Sequence, residues 1–525
     1  MGDSSGRQCA FTFDPAAWSE RTGTESPLYG DLLEDGEVWR CPHEADGDGD
    51  ADRCLFHRPV AEKDDRVVRD AFLETIDEVG REPKQFIGAR FGALALDHRI
   101  VECRDNHQID LRHARFEGEA SFRYAIVRQP LALEGASFHA RPTFTEVAFE
   151  GEVYLNKASF EASARFFEAE FSEGVWGYKA EFADADFHMA DFGGPVDFSE
   201  AAFESAQFRE SEFASVVRFK LATFDEVTFS GSRFGGRVYF DEATVPEGVN
   251  LGKTVFEESA SFEDLELAVG HCCIDLRKTT IAAGRLHLSD SGTLVYDLAE
   301  ATVGDVEIAG AEAAERHVDH FRVLNTAFDG FDFGRYRKLL HERDWNIHGV
   351  VDVPGLDDDA GTPSAGDLES TYLKAKNGAN EIGDTKAAAE FFRREMLNRR
   401  DQYVPTALDG TADPRERVAA AGRWAANSLL NVTAGYGERP SRVVGVSVGT
   451  ILVFGGLFAA VQPVPPYETS IGYLILSLES FITLVLGGAE DVGSPWIRLL
   501  AQIEGFVGAF LIALFVFTLT RSIHR

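Results

Sequence analysis

The stretch FSEAAFESAQFRESEFASVVRFKLATFDEVTFSGSRFGGRVYF, Phe198 to Phe240, decides the fold. Its phenylalanines stand at 198, 203, 208, 213, 219, 224, 229, 234 and 240, spaced five, five, five and six residues apart, twice over. Neither a helix nor a flat strand has that period. Four five-residue sides make one square turn of chain, and a sixth residue at every fourth corner is absorbed as a bulge. The phase extends back through Trp176, Phe171, Phe166, Phe160, Leu155, Phe149, Phe144, Phe138 and Leu133, and forward through Val245, Leu251, Phe256, Phe262 and Leu267. Two positions before many of these centres sits a small residue, such as Ala158, Ala169, Gly174, Ala201 or Ala222, so large and small inward positions alternate as a narrow tube requires. Roughly ten such turns, bonded at about 4.8 Å spacing, give a rod on the order of 50 Å long.

With these residues the segment 86–310 resembles the pentapeptide-repeat family, with Phe replacing Leu at the centre and extra corner residues. The resemblance implies a right-handed quadrilateral parallel β-helix, which is a scaffold and does not by itself name a function. Residues 311–345 are expected to finish and cap it, and 346–367 read as an acidic linker. Residues 368–438 predict a helical connector: a hairpin whose second helix is capped by Asp384, then RERVAAAGRWAANSLLNV, which either lies along a membrane surface or packs as an ordinary helix.

The net charge is −36, from 51 Lys and Arg against 87 Asp and Glu. Such a surface repels nucleic acid and anionic lipid, and its even spread suits a halophilic cytoplasm better than one acidic binding face. The start of the chain shows no secretory apolar segment, so the bulk is expected to be reduced and cytoplasmic. In residues 1–85, Cys41-Pro-His43 and Cys54-Leu-Phe-His57, with Cys9 upstream, offer soft ligands at close spacing. Cys9, Cys41, Cys54 and His57 fit either a structural zinc site or reduced, buried thiols. Between them DGDGDAD opens like a calcium loop but has His57 at the twelfth position, so it reads as a solvated turn. No nucleotide-binding glycine loop, nucleophile elbow or His/Asp/Ser grouping stands out, and an enzyme is not expected.

The C-terminus is different in kind. VVGVSVGTILVFGGLFAAV (Val443 to Val461) and the run from Trp496 to Thr520 have the length and apolarity of membrane helices. Upstream, Thr433-Ala434-Gly435-Tyr436-Gly437-Glu438 is similar to the carbonyl-lined loop of potassium channels. It precedes the first span instead of separating two, and Arg439 and Arg442 follow at once, so it reads as a turn into a helix starting at Pro440. Arg439, Arg442, Arg521 and Arg525 against Arg498 alone between the spans place both chain ends in the cytoplasm of a two-span protein of the cell membrane.

Between the spans, Thr469 or Ser470 can cap a helix through IGYLILSLESFITL, the length of a re-entrant segment, followed by TLVLGGAEDVGSP, Thr483 to Pro495. Span, short helix, glycine-bearing acidic loop and span in that order resemble the two-transmembrane pore module of the ion-transport family that includes potassium channels, over 439–525. The resemblance implies a homotetramer conducting a monovalent cation past Thr483, Leu484, Val485, Leu486, Gly487 and Gly488, with Glu490 and Asp491 at the mouth. TLVLGGAED is not TVGYGD, so a preference for K⁺ does not follow. Gly445 and Gly449 fit close helix packing, Gly505 and Gly508 either packing or an inner-helix hinge, and Glu504 either ion permeation or a structural hydrogen bond. The expectation is a cation channel with a cytoplasmic solenoid that scaffolds or regulates through an unnamed ligand or protein and does not bind nucleic acid. The rivals are a membrane-anchored interaction scaffold and an acidic DNA mimic acting on topoisomerases.

Overall fold

The computed structural model describes residues 7–23, 25–28, 32–34, 36–45, 52–79, 84–245, 248–289, 292–310, 318–349, 363–461, 464, 467, 469–486 and 494–523. The chain forms two compact units, Met1–Phe331 with Ile347–Ala360, and Asp332–Asn346 with Gly361–Arg525.

The first unit is a parallel β-solenoid of about 11 turns. Most of its strands are only two residues long, and equivalent residues of successive turns pair in register. Phe149 pairs with Phe171, Phe171 with Phe192, Phe192 with Phe213, and Phe213 with Phe234. Register fixes the rings into columns: Phe144, Phe166, Phe187, Phe208 and Phe229 stack at 4.6–4.9 Å with interplanar angles of 2–8°. Ala158, Ala169, Ala201 and Ala222 are buried between the columns. Alternate corners require a left-handed residue, taken by Lys157, Glu168, Lys179, Met189 and Glu200 at φ of 52–59° and by Gly231 at 78°. Outside, ion pairs run from turn to turn, as where Arg128 meets Glu102 at 2.8 Å and Glu150 at 3.5 Å.

One centre departs from the expected phase. Trp176 is half-buried on the outside, its indole N–H 3.3 Å from Glu152 Oε1. The inward position belongs to Gly177, in line with Leu155 below and Phe198 above, and a Cβ on Gly177 would overlap the Phe198 ring.

An N-terminal arm covers the start of the solenoid. Thr12–Phe13 pairs antiparallel with Trp39–Arg40, α1 spans Pro15–Thr22 under an Asp14 cap, and α2 spans Asp65–Asp77 under an Asp64 cap. The buried face of α2 is Val68, Phe72 and Ile76, and Phe72 lies 4.7 Å from Phe86 and 5.8 Å from Phe91, closing the first turn. At the other end strands lengthen, with Thr280–Leu288 against Thr302–Gly310, before Ala327–Phe328 ends the ladder.

The second unit is helical. It begins with α3 (Arg337–Glu342), then α4 (Ala365–Glu381) and α5 (Thr385–Asp401), the expected hairpin, with a Ser364/Asp367 capping box and the expected Asp384 cap. Phe391 of α5 is buried against Phe333, Trp345 and Tyr372. The predicted cap 311–345 is therefore divided: its strands continue the solenoid, while residues 332–346 pack into the helical unit. Residues 350–362 of the expected linker lie outside the described residues. There follow α6 (Tyr403–Leu408), α7 (Pro414–Ala434), α8 (Pro440–Val461), α9 (Ser470–Leu486) and α10 (Pro495–Ile523). Gly435 ends α7 at φ 54°, Tyr436 turns the chain, and Pro440 opens α8, so TAGYG is the turn its position predicts. α7 buries Ala420, Asn427 and Thr433 and leaves Val418, Leu429 and Val432 exposed.

Candidate functional site

Two places concentrate chemistry, the arm of the first unit and the last three helices of the second. In the arm, Cys9 lies just before the Thr12–Phe13 strand and Cys41 just after its Trp39–Arg40 partner, so the hairpin delivers both thiols to one side. Cys54 and His57 share a tight turn, closed by His57 N–H donating to Cys54 O at 3.0 Å. Ala10 N–H to Asp52 O, at 2.7 Å, binds this turn to the hairpin.

All four predicted ligands converge, fully buried, with one ligand atom from each lying within 4.8 Å of the others. Cys41 Sγ stands 3.8 Å from Cys54 Sγ, and His57 Nδ1 is 3.1 Å from Cys54 Sγ and 3.9 Å from Cys9 Sγ. Hydrogen bonds from Cys41 and Cys54 favour the thiolate at Cys9 and lower its pKa, while Cys41, hydrogen-bonded to Cys54 and Cys9, is held neutral well above the usual thiol range. Lys63 donates to the carbonyls of Leu55, Phe56 and Arg90, and burial lowers its pKa to about 8. His43 is not part of the cluster; its Nε2 is 2.7 Å from Gln85 O.

In the helical unit, α8 and α10 are long and apolar enough to cross a membrane, at about 33 and 43 Å. They run antiparallel: Phe458 and Ile497 share one cluster, Val443 and Leu511 another. Beside the second cluster Arg521 pairs with Glu438 at 2.9 Å. α9 lies against both. Leu474 abuts Gly455, Ser477 donates toward Ile451 O at 2.9 Å, and Phe481 packs with Val443 and Leu511. Its contacts on α10 step from Ile497 past Glu504 to Gly508, whose hydrogen faces the Phe481 carbonyl where a Cβ would overlap it. Gly508 is thus a packing glycine, and Gly505 is buried beside it. Gly445 and Gly449, by contrast, meet nothing within 4 Å in a single chain.

Glu504 is fully buried and hydrogen-bonds Ser477; its other oxygen meets no partner among the described residues. Thr483, expected to open the loop, is instead helical, its hydroxyl 2.5 Å from Glu479 O, and α9 continues through Leu484 and Val485 to Leu486. Gly487, Gly488, Glu490 and Asp491 lie outside the described residues. Sequence reasoning passed over Ser477, exposed Glu479 and exposed Gln502; their signal was polarity inside apolar helices.

Fold and sites together define a β-solenoid scaffold joined to a helical unit carrying two candidate membrane spans. The solenoid is built of pentapeptide repeats: residues 178–223 and 219–265 match the family described as pentapeptide repeats (9 copies). No curated protein matches the chain, and no solved structure does.

Proposed function

We propose that the protein is an oligomeric membrane cation channel, each copy contributing α8, α10 and the shorter, 17-residue α9, with the pentapeptide-repeat solenoid as a cytoplasmic scaffold or regulatory domain. The descent of α9 carries the proposal. It starts level with the first turn of α10 and reaches the level of Gly508, near the middle of that helix, before ending at Leu486. Two anchoring spans have no need of a third helix packed between them that ends well short of the end of α10. A helix ending there directs its partial negative charge, and its last four carbonyls, at a cation.

Exposed polar groups support the same arrangement. Glu479 on α9 and Gln502 on α10 would face hydrocarbon in a lone chain, which is expensive, whereas in a ring they face water or a neighbour. Gly445 and Gly449 leave α8 open to close approach by another helix. Arg439, Arg442 and Arg521 gather at one end, which by the positive-inside tendency is cytoplasmic. Four copies follow from resemblance to two-span channels. Native mass spectrometry in detergent, with K⁺ flux from proteoliposomes at high salt, tests this: a tetramer that passes K⁺ and slows in Gln502→Leu is expected. A folded monomer without flux would leave a membrane-anchored scaffold.

A further inference from the structure

We propose that Cys9, Cys41, Cys54 and His57 bind one structural zinc ion, which fastens the N-terminal arm over the first turn of the solenoid. Such a site does not depend on whether the C-terminal helices conduct ions.

A tetrahedral zinc ion with Zn–S near 2.3 Å and Zn–N near 2.0 Å holds its ligand atoms about 3.5–3.8 Å apart. Three of the six separations, at 3.8, 3.1 and 3.9 Å, bracket that range and all six lie within 4.8 Å, so an ion fits with shifts of no more than about an ångström. Three thiols and one imidazole are the soft donor set that selects zinc over harder cations. The Cys41 and Cys54 sulfurs are much too far apart for a disulfide, whose S–S bond is about 2.05 Å.

The groups behind the ligands are also in place. His57 Nε2 lies 2.9 Å from Ile87 O, which fixes the proton on that nitrogen and leaves the Nδ1 lone pair facing the thiols. Cys54 N–H donates to Cys9 Sγ at 3.2 Å, and Phe11 stacks on the imidazole at 4.0 Å. The three remaining cysteines are not gathered in this way: Cys272 and Cys273 sit in a solenoid strand where burial raises both thiols to about 12.

The position of the site gives its role. Ile87 belongs to the first turn, and Phe56 O accepts from Arg90 N–H of the same turn at 2.9 Å. Trp39, beside Cys41, donates its indole N–H to Gln85 at 3.1 Å. Metal joining the hairpin to the Cys54–His57 turn would clamp these contacts over an edge that otherwise exposes unpaired backbone groups.

The test uses the full chain purified in detergent without chelator. Elemental analysis should find one zinc per chain, and Cys54→Ser should hold less than about a tenth of that while Cys273→Ser keeps it. Protein loaded with Co²⁺ should show thiolate charge-transfer and tetrahedral d–d absorption, and His57→Cys should keep the metal and shift the d–d bands. Should Cys54→Ser fail to fold, zinc release from the wild type by a mercurial thiol reagent supplies the same count. Hydrogen exchange of amides 85–91 should speed up at least about tenfold when the metal is removed. Folded wild type without metal, or with a Cys41–Cys54 disulfide, would overturn the site; unchanged exchange on metal removal would overturn the clamp.

Discussion

Replacing Phe208 with Ala tests whether the aromatic columns hold the solenoid together. The ring is fully buried, parallel to Phe187 at 4.8 Å and Phe229 at 4.9 Å, with Phe203, Phe213 and Phe219 around its edge. The walls cannot close over the gap, because each turn is pinned to the next by ladder bonds such as Phe208 N–H to Thr228 O at 2.8 Å. A Phe→Ala change in such a core costs about 3–5 kcal/mol, whereas Phe208→Leu, which puts back the residue usual in these repeats, should cost about 1–1.5. In a solenoid each turn contacts only its neighbours, so the loss should be local. At about 1.4 kcal/mol per decade, amides of the turns around Phe208 should lose roughly two to four orders of magnitude of hydrogen-exchange protection, read by mass spectrometry on the full chain. A loss below about tenfold, or one spread equally to residues 94–127, would refute the columns as the main source of stability.

Two further perturbations probe the arm and the helices. His113 is buried between Phe13 and Trp18, 3.0 Å from the Ser26 hydroxyl, and burial, with Arg112 next, lowers its pKa to about 3. The unfolded chain takes up a proton near pH 6.5 that the folded arm refuses, so stability is complete above that pH and falls by about 1.4 kcal/mol per unit on acidification toward pH 3. Thermal unfolding of wild type against His113→Gln at pH 7 and 5 should isolate about 2 kcal/mol, and equal pH slopes would contradict the burial argument. Gly508→Val places methyl groups against the Phe481 carbonyl and should destabilise the α9–α10 contact by about 1–3 kcal/mol, while Gly456→Val, which meets nothing within 4 Å, should not. Equal melting temperatures for the two would show that α9 does not sit against Gly508.

The rod was legible because register forces one inward residue per side, and phenylalanine marks most of them. It failed at Trp176 because size was allowed to override period: after Phe171 the six-residue step falls on Gly177, where the space belongs to Phe198. The convergence of the Cys/His group was legible because its members stand at short spacing in the sequence, but the Ile87 carbonyl behind His57 comes from a separate segment and leaves no local trace. Helix starts at Pro440 and Pro495 followed from proline at the first helical position. The end of α9 did not, since Thr483 to Leu486 read as the start of the carbonyl-lined loop, whereas an apolar run of this kind continues a helix equally well. The Gly445/Gly449 spacing marked close helix packing without naming the partner, and within one chain Gly455 and Gly508 are the glycines that meet α9; which face of a helix is covered depends on its neighbours and not on its own residues.

The most direct measurement is single-channel recording of the purified full chain in planar bilayers at high salt, with K⁺ and Na⁺ on opposite sides. Discrete currents are expected, with a reversal potential that reports whether K⁺ or Na⁺ permeates more readily and an amplitude altered by Gln502→Leu. Silence under voltage, pH and Ca²⁺ challenge, from protein shown to be folded and oligomeric, would contradict the channel.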